Sequence, residues 1–443
     1  MAFPPALIAA LCCPRCLDGA LDPAGGVLRC ARCDRPYPII GNIPCLMADP
    51  ALWRSLWLSR LVEFLSVTEQ NLAGWRAEAS LPALLPRTRE RLARMIGAVE
   101  DQRARVEALL ADFKEGASHV IPARPEGGEM PALMTCYENL FRDWAWGDKE
   151  AEATLSLVAR AGREPLGRLA VFGAGAGRLA VDVHQTLRPA QTLALDVNPL
   201  PLLVAERLVR GETVDLPEFP VAPHSAEDVV MQRSLRGPGP LREGFTFLFA
   251  DALCAPFASG SLDTVVTSWF IDAVRADVRA TAACINRVLR SGGLWINLGP
   301  LRFKETISRT YTIEEVWDIA AQSGFELTVR EREDMPYFDS PVSGSRRIET
   351  VFCFAARKTA EASPSVARDT VAPWIADTSL PIPLTPALLN LGRTSLFTAG
   401  AMSLVDGVRS MSDVANEIGK STGIAPANLL DQLRAFFAKL PPG

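Results

Sequence analysis

The chain has 443 residues, enough for two or three domains, and its 46 basic and 51 acidic side chains give a net charge of −5, which argues against nonspecific nucleic-acid binding. No uninterrupted apolar run approaches the ~20 residues that span a bilayer. The opening MAFPPALIAALCCPRC lacks the basic region of a secretion signal, so a cytoplasmic location is expected.

Near the N-terminus, Cys13-Pro-Arg-Cys16 and Cys30-Ala-Arg-Cys33 form two C-x-x-C knuckles. Four thiolates at this spacing close a tetrahedral zinc site, and a segment of roughly forty residues has too little core to fold without such a staple. Cys12 adjoins a ligand and Cys45 is isolated. A structural rather than a catalytic zinc is therefore expected. The knuckles are followed by RPYPIIGNIPCLM, Arg35 to Met47. Over Cys13 to Met47 the chain resembles the zinc-ribbon domains of the small tRNA-methyltransferase activator proteins. That resemblance implies a partner-binding or scaffolding module and does not imply a tRNA substrate.

From Ala51 to about Lys114 apolar residues recur at helical spacing among Arg and Glu, which predicts packed amphipathic helices. Pro and Gly break the pattern between His119 and Pro131. Next, CYENLFRDWAWGDKEAE, Cys136 to Glu152, carries tryptophans at 144 and 146 with Arg142 among aromatics. Two readings stand for it: a helix packing its aromatics into the core, or a lid whose Arg142 fork faces a carboxylate of a ligand.

The apolar run Leu169 to Phe172 enters a G-x-G-x-G turn at Gly173, Gly175 and Gly177 and then a helix, while a second apolar run, Thr192 to Asn198, contains Asp196 where its strand should finish. A glycine turn opening a helix admits a phosphate, flavin or sulfonium cofactor to the main chain, and an acid about twenty residues on can grip ribose hydroxyls. An adenosine-type cofactor is expected. A Pro-rich insertion from Val214 to Leu241 is too long for a plain connection. FTFLFAD is the predicted third strand, ending in Asp251, an acid able to accept from an adenine amino group. LDTVVTSWFIDAV is the fourth, DVRATAACINRVLRSGG a helix capped by glycine, and LWINLG the fifth. ELTVREREDM and ETVFCFAARK complete a doubly wound, mostly parallel α/β sheet with its ligand at the strands' carboxyl ends. Of the three histidines, His184 reads as a helix surface residue, and no hydrolase signature stands out.

YENLFRDWAWG, VFGAGAGRLA, SWFIDAV, GGLWINLGPLRF, YTIEEVWDIAAQSGFEL and ETVFCFAARK, with the insertion FPVAPHSAEDVVMQRSL, together resemble the carnosine N-methyltransferase family over roughly Cys136 to Lys358. The resemblance implies a Rossmann-like methyltransferase domain, S-adenosylmethionine as donor and an imidazole nitrogen as acceptor. By position it assigns the cofactor to Asn139, Arg142, the three glycines, Asp196, Asp251, Ala252 and Ser268, and the imidazole to Asp272, with Tyr337 beside it. The family's histidine after the Leu-Gly-Pro strand falls on Lys304, and one of its substrate tyrosines is replaced by Ile348. These departures put carnosine itself in question as substrate. The alternative for Asp272 is a helix N-cap.

Between Thr359 and Pro383 the composition turns to Ala, Ser, Pro and Thr, as in a linker, and a small, mainly helical, winged-helix-like module follows, with Ser410 or Ser412 as a helix cap. Leu404-Val-Asp-Gly407 and Ser410-x-x-Asp413-Val-Ala415 resemble the PqqD-like domains that bind leader peptides of ribosomally made natural products. A helical add-on that packs on the main domain or makes a homodimer is the equal alternative. The expected organisation is a zinc ribbon at 1–48, a helical segment and cofactor lid at 49–150, the methyltransferase domain at 151–358, a linker at 359–380 and the C-terminal module at 381–443. The expected function is methyl transfer to an imidazole of a histidine-containing small molecule or precursor peptide, without a membrane partner. Its competitors are a binding scaffold that has lost turnover and a nicotinamide-dependent oxidoreductase.

Overall fold

A computed structural model of the chain describes residues 4–17, 19–114, 132–274, 276–303, 307–362, 379–382 and 402–437. Lys304, His119 and most of the expected linker lie outside the described residues. The chain divides into two compact units, the first formed by Met1–Ser118 and Ala132–Ser365, the second by His119–Pro131 and Val366–Gly443.

The first unit begins with a short helix, α1 (Pro5–Ile8), and the ribbon strands β1 (Leu21–Ala24), β2 (Val27–Cys30), β3 (Pro36–Tyr37), β4 (Ile39–Ile40) and β5 (Ile43–Pro44). Asp49 then caps the long helix α2 (Pro50–Ala79), accepting the Leu52 N–H at 3.1 Å, and α3 (Pro86–Leu109) and α4 (Ala111–Lys114) follow.

The central sheet holds β6 (Arg168–Phe172), β7 (Gln191–Asp196), β10 (Phe245–Phe249), β11 (Leu262–Ser268), β12 (Leu289–Gly299), β13 (Phe325–Tyr337) and β14 (Arg347–Lys358) in the order β10-β7-β6-β11-β12-β14-β13. Its first five strands run parallel and β14 is antiparallel to both neighbours. The nearly unbroken apolar runs of β6 and β7 follow from burial on both faces. Helices α5 (Tyr137–Phe141), α6 (Asp148–Ala161), α7 (Arg178–Thr186), α8 (Pro199–Val209), α9 (Val278–Val288) and α10 (Ile313–Gln322) flank it. The sheet's inserted antiparallel strand sets it apart from the all-parallel dinucleotide-binding sheet. It is the Rossmann-like methyltransferase fold.

The Pro-rich insertion, too long for a plain connection, contains an antiparallel hairpin, β8 (Thr213–Glu218) paired with β9 (Met231–Arg236). Two local expectations are corrected. The helix before β12 is not capped by glycine: α9 ends at Val288, Leu289 is already extended, and Gly292 and Gly293 lie inside β12, where the register with β11 shifts. Their freedom serves a bulge. His184 is fully buried rather than on a surface, its Nδ1 2.9 Å from Thr192 Oγ1 and its Nε2 3.0 Å from the Arg242 carbonyl, so its role is to tie α7 to the sheet.

In the second unit the described helices are α11 (Met411–Thr422) and α12 (Pro426–Phe437). Ser410, not Ser412, caps α11 in a capping box with Asp413, and Gly423 ends it at φ 74°. Ile382, Met411, Val414, Leu429, Leu433 and Phe437 contribute to a small separate core.

Candidate active site

Between β6 and α7 the backbone turns through Gly173, Gly175 and Gly177 at φ 69°, 56° and 86°. A Cβ on Gly173 would lie 2.4 Å from the Phe270 ring, so this glycine lets the segment after β11 press on the turn. A Cβ on Gly175 would meet nothing nearer than the Asn139 amide at 4.0 Å. That open approach to the main chain is what a cofactor needs.

At the end of β7 the Asp196 carboxylate accepts the Gly175 N–H at 2.8 Å and the Asn198 N–H at 2.9 Å, fastening the turn to the next strand. Burial pushes its pKa up against those donors. Asp251, just past β10, accepts the Leu253 N–H at 2.9 Å and caps the short turn Ala252–Cys254, and burial raises its pKa too. The N-terminal segments hold both acid-bearing loops. Leu46 donates to the Phe249 carbonyl at 2.8 Å, Cys12 to the Pro256 carbonyl at 2.8 Å, and Trp53 Nε1 to the Val197 carbonyl at 3.0 Å. Cys45 also pairs with Phe249 as an isolated parallel bridge, which covers the β10 edge.

The aromatic segment forms α5, one π-helical turn over Arg142–Trp146, and α6. Trp144 Nε1 donates to the Ala176 carbonyl at 2.8 Å, and Arg178 Nη1 donates to the Asp143 carbonyl at 2.7 Å, so the segment is bolted to the glycine turn. The aromatics of the segment are packed, as the first reading expects, while the guanidinium that the lid reading turns toward a ligand is paired with carboxylates of its own segment. Arg142 lies 2.8 Å from Asp143 and 3.4 Å from Glu150, with its guanidinium 5.1 Å from the Phe338 ring and 5.7 Å from that of Tyr337. Burial works against its charge, but the two carboxylates more than offset this and raise its pKa. Glu150 also accepts the Phe338 N–H at 3.0 Å.

On the other side of the turn, β11 ends at Ser268 and the chain swings through Trp269, at φ 47°, into Phe270-Ile271-Asp272. Asp272 is not a helix cap; that position is taken by Asp277, which accepts the Arg279 N–H at the start of α9. Asp272 Oδ2 instead accepts the Arg302 backbone N–H at 2.6 Å, and burial raises its pKa. Trp269 stacks on Tyr337, centroids 5.3 Å apart and planes 12° apart, and its Nε1 donates to Glu349 at 3.0 Å. Glu349 is buried and pairs with Arg302 at 3.1 Å. Burial pushes the Tyr337 hydroxyl up to about 12. Asp272, Tyr337, Ser268, Ala252 and the glycine turn therefore gather at the carboxyl ends of the parallel strands. No motif in the sequence singles out Trp269, Glu349, Glu150 or Arg302. The available signal was position: Trp269 and Glu349 each bracket an apolar strand of the resembling segments.

In the ribbon, the Sγ atoms of Cys13, Cys16, Cys30 and Cys33 all lie within 4.8 Å of one another, with Cys13 and Cys33 3.8 Å apart. Sulfurs at tetrahedral Zn–S distances stand about 3.8 Å apart. Backbone N–H groups of Cys16, Arg32 and Cys33 point at the sulfurs at 3.4 Å, and the Tyr37 hydroxyl lies 2.9 Å from Cys13 Sγ. The four residues fit a structural zinc.

No helix among the described residues is long and apolar enough to cross a membrane. No curated protein matches the chain significantly. Among solved structures, it is similar to a Haemonchus contortus phosphoethanolamine N-methyltransferase bound to phosphomonomethylethanolamine and S-adenosylhomocysteine, at 18% identity over 53% of this chain and 61% of that one, TM-score 0.35. It is also similar to a complex of the Haloferax volcanii Trm112 methyltransferase activator with a methyltransferase, at 15% identity over 52% and 96%, TM-score 0.35. A third is the N-methyltransferase NodS of Bradyrhizobium japonicum with S-adenosylhomocysteine, at 13% identity over 51% and 99%, TM-score 0.34. Residues 221–359 match the carnosine N-methyltransferase family model, and the sheet they complete is that of an S-adenosylmethionine-dependent methyltransferase domain.

Proposed function

We propose that the protein is an N-methyltransferase that moves the methyl group of S-adenosylmethionine to a ring nitrogen of an imidazole. The observation that carries this reading is the placement of Asp272. Its Oδ2 is engaged by the Arg302 N–H, its Oδ1 accepts from no other residue among the described residues, and Phe270, two residues before it, touches the glycine turn. An acceptor on Asp272 would thus sit beside the cofactor.

When bound, the cofactor supplies an electrophilic methyl group. Gly175 offers it an open main chain, Asp196 the ribose contact and Asp251 the adenine contact, with Ala252 and Ser268 lining the floor. Asn139 and Arg142 cover it. Asp272 accepts the N–H of one ring nitrogen, which orients the lone pair of the other toward the methyl group and stabilises the imidazolium that forms. Tyr337 stacks on Trp269, and its high pKa keeps its hydroxyl a proton donor. In sequence, Lys304 stands where the family has a histidine.

The four cysteines are proposed to hold zinc and keep the ribbon on the β10 edge, where it steadies the loop of Asp251. The C-terminal unit is proposed to bind a precursor peptide. A mass-spectrometric screen of imidazole compounds and histidine-containing peptides with S-adenosylmethionine tests the reading. A gain of one methyl on an imidazole supports it, and transfer confined to acceptors without imidazole sinks it.

A further inference from the structure

The insertion hairpin and the aromatic segment meet at one buried carboxylate that the proposed chemistry does not use. Glu218, the last residue of β8, is 5% exposed. Trp146 Nε1 donates to its Oε1 at 3.0 Å, Arg233 Nε on β9 donates to its Oε2 at 2.6 Å, and Ser340 Oγ, just past Tyr337, lies 3.5 Å from Oε1. Beside it the Pro217 carbonyl accepts the buried Tyr137 hydroxyl at 2.8 Å. The chain after Glu218 is laced to the loop between β13 and β14. Gly344 donates to the Ala222 carbonyl at 2.8 Å, His224 to the Val342 carbonyl at 3.4 Å, and Pro223 pairs with Ser343 as an antiparallel bridge.

The other end of this connection is the glycine turn. Trp144 and Trp146 ride on one π-helical turn, and residues two apart on a helical turn face opposite sides. Trp144 reaches the Ala176 carbonyl, and Trp146 reaches Glu218. The π-helical turn closes with the Gly147 N–H on the Arg142 carbonyl at 2.8 Å, and a Cβ on Gly147 would collide with that oxygen. A buried carboxylate is costly unless its lone pairs are filled, so a shift of one donor draws the others with it. Arg233 Nη2 is buried without a partner among the described residues, a cost that a pair serving stability alone would not carry.

We infer that Glu218 is a positioning residue that passes the state of the cofactor site to the insertion and to the loop after Tyr337, so that loading the methyl donor firms both. The inference rests on the cofactor placement proposed above and is independent of the imidazole.

Hydrogen exchange of the full chain, read by mass spectrometry with and without S-adenosylhomocysteine, tests it. In the unaltered protein the ligand is expected to slow exchange at the glycine turn and also, by about tenfold, over residues 219–224 and 340–345. Trp146→Phe keeps a ring but loses the N–H donated to Glu218. It should retain the slowing at the glycine turn and lose most of it over the two distant segments. Glu218→Leu should act the same way, and if it fails to fold, Trp146→Phe decides alone. Arg105 donates to the Asp215 carbonyl from α3, so Arg105→Gln loosens the hairpin from another side. That control should speed exchange with and without ligand alike and leave their ratio unchanged. A merely structural Glu218 predicts the control's pattern for Trp146→Phe, and that result overturns the inference. Slowing confined to the glycine turn in the unaltered protein overturns it while leaving the cofactor placement intact. Absence of slowing at the turn overturns both.

Discussion

The two halves of the proposed site are made of different material. The cofactor half is main chain: a turn of three left-handed glycines, closed by Asp196 on the Gly175 N–H and roofed by a tryptophan bonded to the Ala176 carbonyl. The acceptor half is side chain: Asp272, Trp269, Tyr337 and Glu349, contributed by the ends of β11, β13 and β14 and joined by one stack and a few polar contacts. Backbone geometry tolerates almost no substitution, whereas a lattice of side chains can be retuned residue by residue. A shared donor with a divergent acceptor is the expected consequence.

Substitutions that strike one half and spare the other test this division. The largest effect is expected from Gly173→Val, which combines a φ of 69° with a Cβ 2.4 Å from Phe270. It should cost about 3 kcal/mol or more, from left-handed strain plus overpacking, and thermal unfolding should show a matching drop in Tm. Asp272→Asn should lower kcat by about 10²- to 10³-fold through loss of the charge facing the imidazolium. S-adenosylhomocysteine affinity, read by calorimetry, should stay unchanged; unaltered turnover rejects the role given to Asp272. Gly175→Ala meets open space, so it should cost only about 1 to 2 kcal/mol in stability while weakening S-adenosylhomocysteine binding at least tenfold. Intact binding would show that the cofactor does not pass over this glycine.

The smallest effect belongs to neither half. Burial lowers the pKa of His184, so the folded chain excludes a proton that the unfolded chain takes up below about pH 6.5. Its contribution to stability is complete above that pH and declines below it. Denaturant titrations should show a shallow acid slope that His184→Gln reduces, while methyl transfer near neutral pH is little affected.

The same division explains what the sequence disclosed. Gly173, Gly175, Gly177 and Asp196 are legible because each does a job few residue types can do, at a spacing imposed by a strand and a helix. Cys13, Cys16, Cys30 and Cys33 are legible for the same reason. Glu349 and Trp269 read as ordinary members of strands until the fold brings β14 beside β12 and stacks Trp269 on Tyr337. His184 reads as a surface residue because its helix is amphipathic, while its burial comes from Thr192 on the neighbouring strand and from the Arg242 carbonyl, 58 residues on. The Gly292-Gly293 pair reads as a helix stop, but the pull of the β12 ladder ends α9 sooner.

The most direct measurement is magnetic resonance of an imidazole acceptor after incubation with methyl-labelled S-adenosylmethionine and the full chain. The account predicts one labelled methyl on a ring nitrogen, absent when Asp272→Asn is used under the same conditions. Label on a carbon or oxygen, or equal labelling by Asp272→Asn, contradicts it.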